Sequence, residues 1–403
     1  MSKIAMRNFW FQFHKWIGIL LAIAIIPISL TGAALVWHDA LDEALNPQRF
    51  AETGAPMLAP SAYVAAAKHA IGPDQRVSQL AYPESGTGPV RLVLANPPQP
   101  GERRPVRTTL WLDPADGHVI DKARSDEGAV RFMHVLHGSL FIPGWGRPIV
   151  GWIGVAMLVS SVSGIWLWWP TVGSWVRGLR WRRQNSINAN LHHMLGFWIA
   201  LPLAVLSLTG AWISFPKVFS AFDAAPAPAA DAKAAGKAPG KGGEKGSGGK
   251  REAGRPQPPA QPLIAPALGP DAALAAARQA TQRPIASIGW PTEKSADWEI
   301  RTAGKAGSAT PPLTIAVADA DAGARIKPNQ PNARGPVMQL MRKIHDGTDM
   351  GIVWQIIIFL GGIIPAILSV TGLIMWWRSR QWRRAVKARQ ATRHATPGLS
   401  GAG

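Results

Sequence analysis

The sequence contains no cysteine. That excludes disulfides, thiolate metal sites and thiol nucleophiles, so a metal or cofactor ligand must be His, Met, Tyr or a carboxylate. Tyrosine is almost absent as well, 2 residues against 19 Trp. Tryptophan suits the headgroup layer of a membrane, where an apolar ring with one N–H has a partner on each side. Acidic residues are sparse, and the formal net charge is +19. Where the acids are missing matters more than the total. There is none from residue 1 to 38, from 148 to 191 or from 351 to 403.

Four stretches reach the roughly 20 apolar residues needed to cross a bilayer. They run from Trp16 to Trp37, Ile149 to Trp169, Leu195 to Phe215 and Gly351 to Trp377, and none holds an Asp, Glu, Lys or Arg. Short flanks set the orientation through their cations. Lys3, Arg7 and Lys15 precede the first span. Arg177, Arg180, Arg182 and Arg183 lie between the second and third. Seven cations from Arg378 to Arg393 follow the fourth. These segments are expected in the cytoplasm, with both termini, and the basicity is read as a topology signal rather than a nucleic-acid footprint. The chain then divides into residues 1–38 (N-terminus and first span), 39–147 (first outer domain), 148–170 (second span) and 171–191 (basic loop). After these come 192–215 (third span), 216–350 (second outer domain), 351–377 (fourth span) and 378–403 (basic tail). Within 216–350, the Ala-, Gly-, Pro- and Lys-rich stretch 224–261 is expected to be a disordered linker.

The halves repeat each other. His14 to Gly18 opens the first span and His192 to Gly196 the third, and each span ends in Leu-Thr-Gly, at Gly32 and Gly210. His137 precedes Val162-Ser163-Gly164 and Trp168-Trp169. His345 precedes Val370-Thr371-Gly372 and Trp376-Trp377, with the same 27-residue spacing from His to Gly. Each half is thus helix, outer domain, helix, and a pseudo-two-fold axis along the membrane normal is expected. The outer segments alternate as strands at Val77–Tyr82, Val90–Ala95 and Thr108–Leu112. The second copy gives Ile285–Trp290, Trp298–Thr302 and Leu313–Val317. Helical stretches at Ser61–Ala70 and Asp271–Thr281 precede the two sets. The fold class expected is a four-helix transmembrane bundle built from two tandem repeats, with two small periplasmic α+β domains.

This order resembles the PepSY-associated transmembrane family. The residues that carry the resemblance are His14 to Gly18, His134-x-x-His137, the strand and turn Leu110–Ile120, and the Ser/Thr-Gly steps followed by Trp-Trp. The resemblance implies an inner-membrane, iron-related protein, and in some members a ferric-siderophore reductase with two b-type hemes. The electron donor is then cytoplasmic or a quinol. The second-copy turn, Asp319 to Gly323, departs from the pattern, and no flavin or nicotinamide domain is present. PepSY domains also resemble inhibitory propeptides, so the alternative is a non-catalytic, membrane-anchored regulator of periplasmic proteases or signalling.

Ionisable residues at a membrane need a partner, and neutral imidazole is an axial ligand of heme iron. Under the expected topology His14 and His192 lie at the cytoplasmic edge, and His137 and His345 on the outer side. Each pair can clamp one heme iron from both sides. Gly164 and Gly372 lie at the depth of the first pair, Gly32 and Gly210 at that of the second, where a flat macrocycle needs a close helix backbone. His193 aligns with Lys15, and both are read as cationic neighbours of heme propionates or lipid phosphates. His134 is an alternative outer ligand or a contact for propionate or substrate, and His38 a weaker one. His69, His118 and His394 are read as surface residues. One dimension is awkward. From His137 to Gly164, 27 residues make about 40 Å of helix, longer than the bilayer core. Pro143 to Pro148 marks a break that lets His137 turn back towards the membrane. No proline does so after His345, so a straight helix is expected to leave that ring outside the core.

Overall fold

A computed structural model describes residues 2–51, 54–98, 105–169, 186–219, 260–304, 311–327 and 335–395, with isolated positions at 176, 179–181 and 222. The 224–261 linker, apart from its last two residues, and Arg177, Arg182 and Arg183 lie outside the described residues. The helices used below are α1 (Lys3–Leu35), α2 (His38–Leu45), α3 (Pro60–Ala66), α4 (Ala129–Ser139) and α5 (Gly146–Trp168). They continue with α6 (Ile187–Ser214), α7 (Pro270–Ala280), α8 (Pro336–Asp346) and α9 (Gly351–Ala395). Two units form, one from residues 1–38, 132–225 and 334–403, the other from 39–131 and 226–333.

The first unit is a helical bundle. Helices α1, α5, α6 and α9 are each long and apolar enough to cross a membrane. A helix satisfies its own backbone there, which no open strand can do. Ser2 and Ser186 cap α1 and α6, accepting from Ala5 N and Ala189 N at 3.2 Å. The spans pack through small residues, as apolar helices in lipid do. A Cβ added to Gly362 would lie 2.5 Å from Ser29 O and 2.7 Å from Ala33 Cβ, so α9 crosses α1 nearly backbone to backbone. Helix α9 has 45 residues, about 70 Å, and its stretch from Arg378 onward belongs to the basic tail.

Two short helices, α4 and α8, precede spans α5 and α9. Leu140 and Phe141 adopt left-handed conformations after α4, and the Pro143-Gly144 turn follows. The break after α8 needs no proline. Gly347, at φ 76°, ends α8 as a left-handed cap, and Asp349 and Gly351 turn the chain at φ 59° and 80°. The straight helix expected after His345 is therefore corrected. Glycine and aspartate reverse the chain where the sequence reading looked for proline.

The second unit carries eight strands: β1 (Arg76–Ala81), β2 (Val90–Ala95), β3 (Arg107–Leu112), β4 (Val119–Arg124), β5 (Ile285–Gly289), β6 (Asp297–Thr302), β7 (Thr314–Ala318) and β8 (Ala324–Lys327). Each half of the chain contributes four, the fourth being one that alternation did not signal because β4 and β8 carry no buried residue. The two sets do not stand as separate domains. They join in one antiparallel sheet of order β4-β3-β2-β1-β5-β6-β7-β8, through Leu80↔Ile288 and its neighbours. An exposed edge strand seeks a partner, and β1 and β5 supply each other's. Leu80, Leu92, Leu110, Ile288, Trp298, Ile300 and Ile315 pack on one face with Tyr63 of α3 and Ala273 and Ala277 of α7. Asp319 anchors this core by accepting from Ala267 N, Leu268 N and Trp298 Nε1 at 2.8–2.9 Å.

Candidate cofactor site

Four histidines enter the bundle, two at each end, and each meets a glycine of another helix. At the first end His14 of α1 faces Gly164 of α5, and His192 of α6 faces Gly372 of α9. A Cβ added to these glycines would come to 3.3 and 3.5 Å from the facing ring carbon. At the opposite end His137 of α4 faces Gly32 of α1, and His345 of α8 faces Gly210 of α6. There the added Cβ would come to 2.7 and 3.0 Å. All four rings are half-buried.

Each ring has an oxygen within hydrogen-bond distance of its Nδ1. The carbonyl of Ile28 can only accept, so His137 Nδ1 donates to it at 2.8 Å. A hydroxyl has one proton. Thr209 spends its proton on Val205 O at 2.9 Å, so it accepts from His345 Nδ1 at 3.0 Å. Thr371 donates to Ile367 O at 2.8 Å and accepts from His192 Nδ1 at 3.1 Å. Ser163 donates to Ser160 O at 3.1 Å and accepts from His14 Nδ1 at 3.1 Å. His14 Nδ1 also lies 3.3 Å from Ser160 Oγ. With the hydroxyl protons on the helix carbonyls, each ring can donate from Nδ1 and keep the Nε2 lone pair, the arrangement in which an outer partner orients a metal-binding imidazole. Desolvation lowers His137 and takes His345 down to about 4. Both rings, on helices outside the spans, are neutral near pH 7 as ligation requires.

His137 and His345 lie with ring centroids 6.1 Å apart and planes at 46°. The two rings would be the residues to hold a metal-bearing group at this end. His14 and His192 line one cavity of about 480 Å³ together with Gly164, Gly372, Trp168 and Phe197, a volume in the cofactor range of about 300–1,000 Å³. Trp168 stacks on Phe197 at 4.3 Å, giving the cavity a flat aromatic wall. Lys15 and His193 line the same cavity, joined by Arg383 of α9. Sequence alone gives Arg383 only a topological role, because nothing local shows that its helix lines the cavity. The donor set, flat walls and cationic side suit a heme with its two acid groups.

His134 lies one turn before His137 on α4 and does not enter the bundle. Its ring meets His38, at a centroid distance of 6.0 Å. A third grouping of ligand-type side chains is Asp113, Asp116 and His118. Their oxygens hold the turn between β3 and β4, with Asp113 accepting from Ala115 N and Asp116 from His118 N. That is ordinary turn chemistry.

A family model described as PepSY-associated TM region matches residues 11–379. Comparison with curated protein sequences finds no match.

Proposed function

The chain belongs to the family of PepSY-associated TM regions, and from that premise we propose that it is a di-heme b electron-transfer protein of the bacterial cytoplasmic membrane, reducing ferric siderophore iron. The observation that carries the proposal is the common state of four histidines. Each has an oxygen held against Nδ1 within 3.1 Å, which leaves Nε2 available to a metal, in two pairs at opposite ends of the bundle. Two hydrogen-bonded pairs with matching glycines in each half are also what a tandem duplication would produce. Heme iron bound there supplies one-electron transfer between its ferrous and ferric states.

The chain's own part is positional. Ser163, Thr371, Thr209 and the Ile28 carbonyl stop the rings from turning, and the glycines let the helix backbone approach. Lys15, His193 and Arg383 neutralise acid groups at the first end. With the basic segments in the cytoplasm, His14 and His192 lie towards a cytoplasmic or quinol donor, and His137 and His345 towards the periplasm. Reduction there weakens the hold of hard oxygen ligands on iron and releases it from the siderophore.

The test uses purified protein, reduced with dithionite and freed of reductant without air. It is mixed with a ferric hydroxamate chelate and a chromogenic ferrous trap. The expected result is loss of the reduced heme bands with one trapped ferrous ion per electron. Bands that stay reduced in the presence of excess chelate would overturn the reductase reading. Protein that carries no heme at all would favour the anchored regulator.

A further inference from the structure

The face of α9 that lines the cavity does not stop at the end of the span. We infer that its continuation, a stripe formed by Arg380, Arg383, Arg384 and Lys387, is the docking surface for a soluble one-electron carrier protein with an acidic face, the donor to the His14/His192 site. The inference rests on the electron-transfer reading above and names the class of the donor.

Leu368, Gly372 and Trp376 line the cavity at intervals of four residues, which is one face of a helix. Two further steps of four reach Arg380 and Arg384, with Arg383 and Lys387 beside them. At 3.6 residues per turn the four cations span about 100° of the helix surface. Arg383 lines the cavity itself, and the Arg380 guanidinium lies over the Trp376 ring, 5.5 Å from its centroid. Positive charge thus runs outward from the cavity wall along a single face. All four side chains are exposed, and no Asp or Glu occurs from residue 351 to 403.

The helix carries this stripe away from lipid. Helix α9 runs from Gly351 to Ala395 as one element. Lys387 lies ten residues beyond Trp377, about 15 Å along the axis. A helix that rests on a membrane surface offers an apolar face to the acyl boundary. From Arg378 to Ala391 the large apolar residues are Trp382 and Val386 alone, too few for such a face. A quinol reaches its site through the bilayer and gains nothing from cations beyond it. An acidic protein gains both steering and orientation from them, with a strong dependence on salt. On docking, one electron leaves the carrier and reduces the iron at the first end from ferric to ferrous, with no bond made or broken.

A plant-type two-iron ferredoxin with an acidic surface serves as the probe. The full-length protein is placed in phosphatidylcholine nanodiscs, and binding is measured by titration calorimetry at low and high salt. Binding at low salt that disappears at high salt is expected. Arg384→Gln combined with Lys387→Gln should weaken it roughly tenfold, the lower end of what steering by a charged surface supplies. Arg378→Gln combined with Arg389→Gln removes equal charge from the opposite face and should leave binding near the wild-type value. Both double variants should keep the heme spectrum and its reduction by dithionite. Reduced ferredoxin, mixed without air with the oxidised wild type, should bring up the reduced heme bands. Absence of binding at low salt, or equal loss in the two double variants, would overturn the stripe as a docking face. Binding that vanishes when phosphatidylglycerol is added to the nanodiscs would overturn it as well, by giving the stripe to lipid. Ferredoxin that binds without reducing the heme would overturn the donor assignment. Calorimetry needs no heme, so a heme-free chain refutes the reading above while the comparison of the two variants still decides the docking face.

Discussion

At Gly32 a single methyl group decides whether His137 keeps its place. The added Cβ would lie 2.7 Å from His137 Cε1, closer than atoms pack. Gly32→Ala is therefore expected to displace the ring and remove about half of the b-type absorbance. Gly269→Ala, with nothing within 4 Å and outside the unit that holds the histidine-lined cavity, should leave the spectrum intact. Visible spectra of the two variants, purified side by side, check this. Thr209→Val is subtler. It keeps the shape and removes the acceptor of His345 Nδ1–H, and an outer partner of a ligating histidine contributes roughly 10–100-fold in metal affinity. Heme transfer to an apoprotein acceptor should be faster by a factor in that range, and an unchanged rate would show that the hydroxyl does not orient the ring. The glycines were legible because the two halves spell the same Ser/Thr-Gly step. What Thr209 does was not, since the direction of a hydroxyl depends on which carbonyl already takes its proton.

Among the elements, the break after α8 brings His345 against Gly210, and sequence reasoning misjudged it. Asp346-Gly347-Thr348-Asp349-Met350-Gly351 holds no proline and so reads as continuing the helix, and only the left-handed φ values at Gly347, Asp349 and Gly351 turn it into a reversal. The six strands expected from alternation are present within a residue or so. Strands β4 and β8 have no buried face and could not signal themselves, and pairing of β1 with β5 is a long-range contact that a local pattern does not contain. At this scale Asp319 is the testable residue. Desolvation raises it, but Leu268 N, Ala267 N and Trp298 Nε1 outweigh that and hold it below the usual carboxylate range. A carboxylate lowered on folding stabilises the fold above its unfolded value and loses that contribution as the pH falls through the folded one. Asp319→Ala leaves three buried donors without their acceptor, at about 1–3 kcal/mol each before relaxation. The unit that carries the sheet should melt at lower temperature at pH 7. Near pH 2 the gap between variant and parent should narrow, as calorimetry at both pH values would show. A gap that widens in acid would contradict this account of Asp319.

For the whole molecule, the absence of acids from three segments and the four apolar runs made a multi-pass membrane protein readable from the sequence alone. The matched histidines supplied the rest of the argument for two cofactor sites, and the oxygens held against their Nδ1 atoms strengthen it. A count of heme per chain tests that claim most directly. A pyridine hemochrome assay on detergent-purified protein, expressed with ample heme, should give two b-type hemes. His14→Ala or His192→Ala should each leave one, and His137→Ala or His345→Ala should leave the other. A wild-type count of zero, or variants that keep both hemes, would contradict the account.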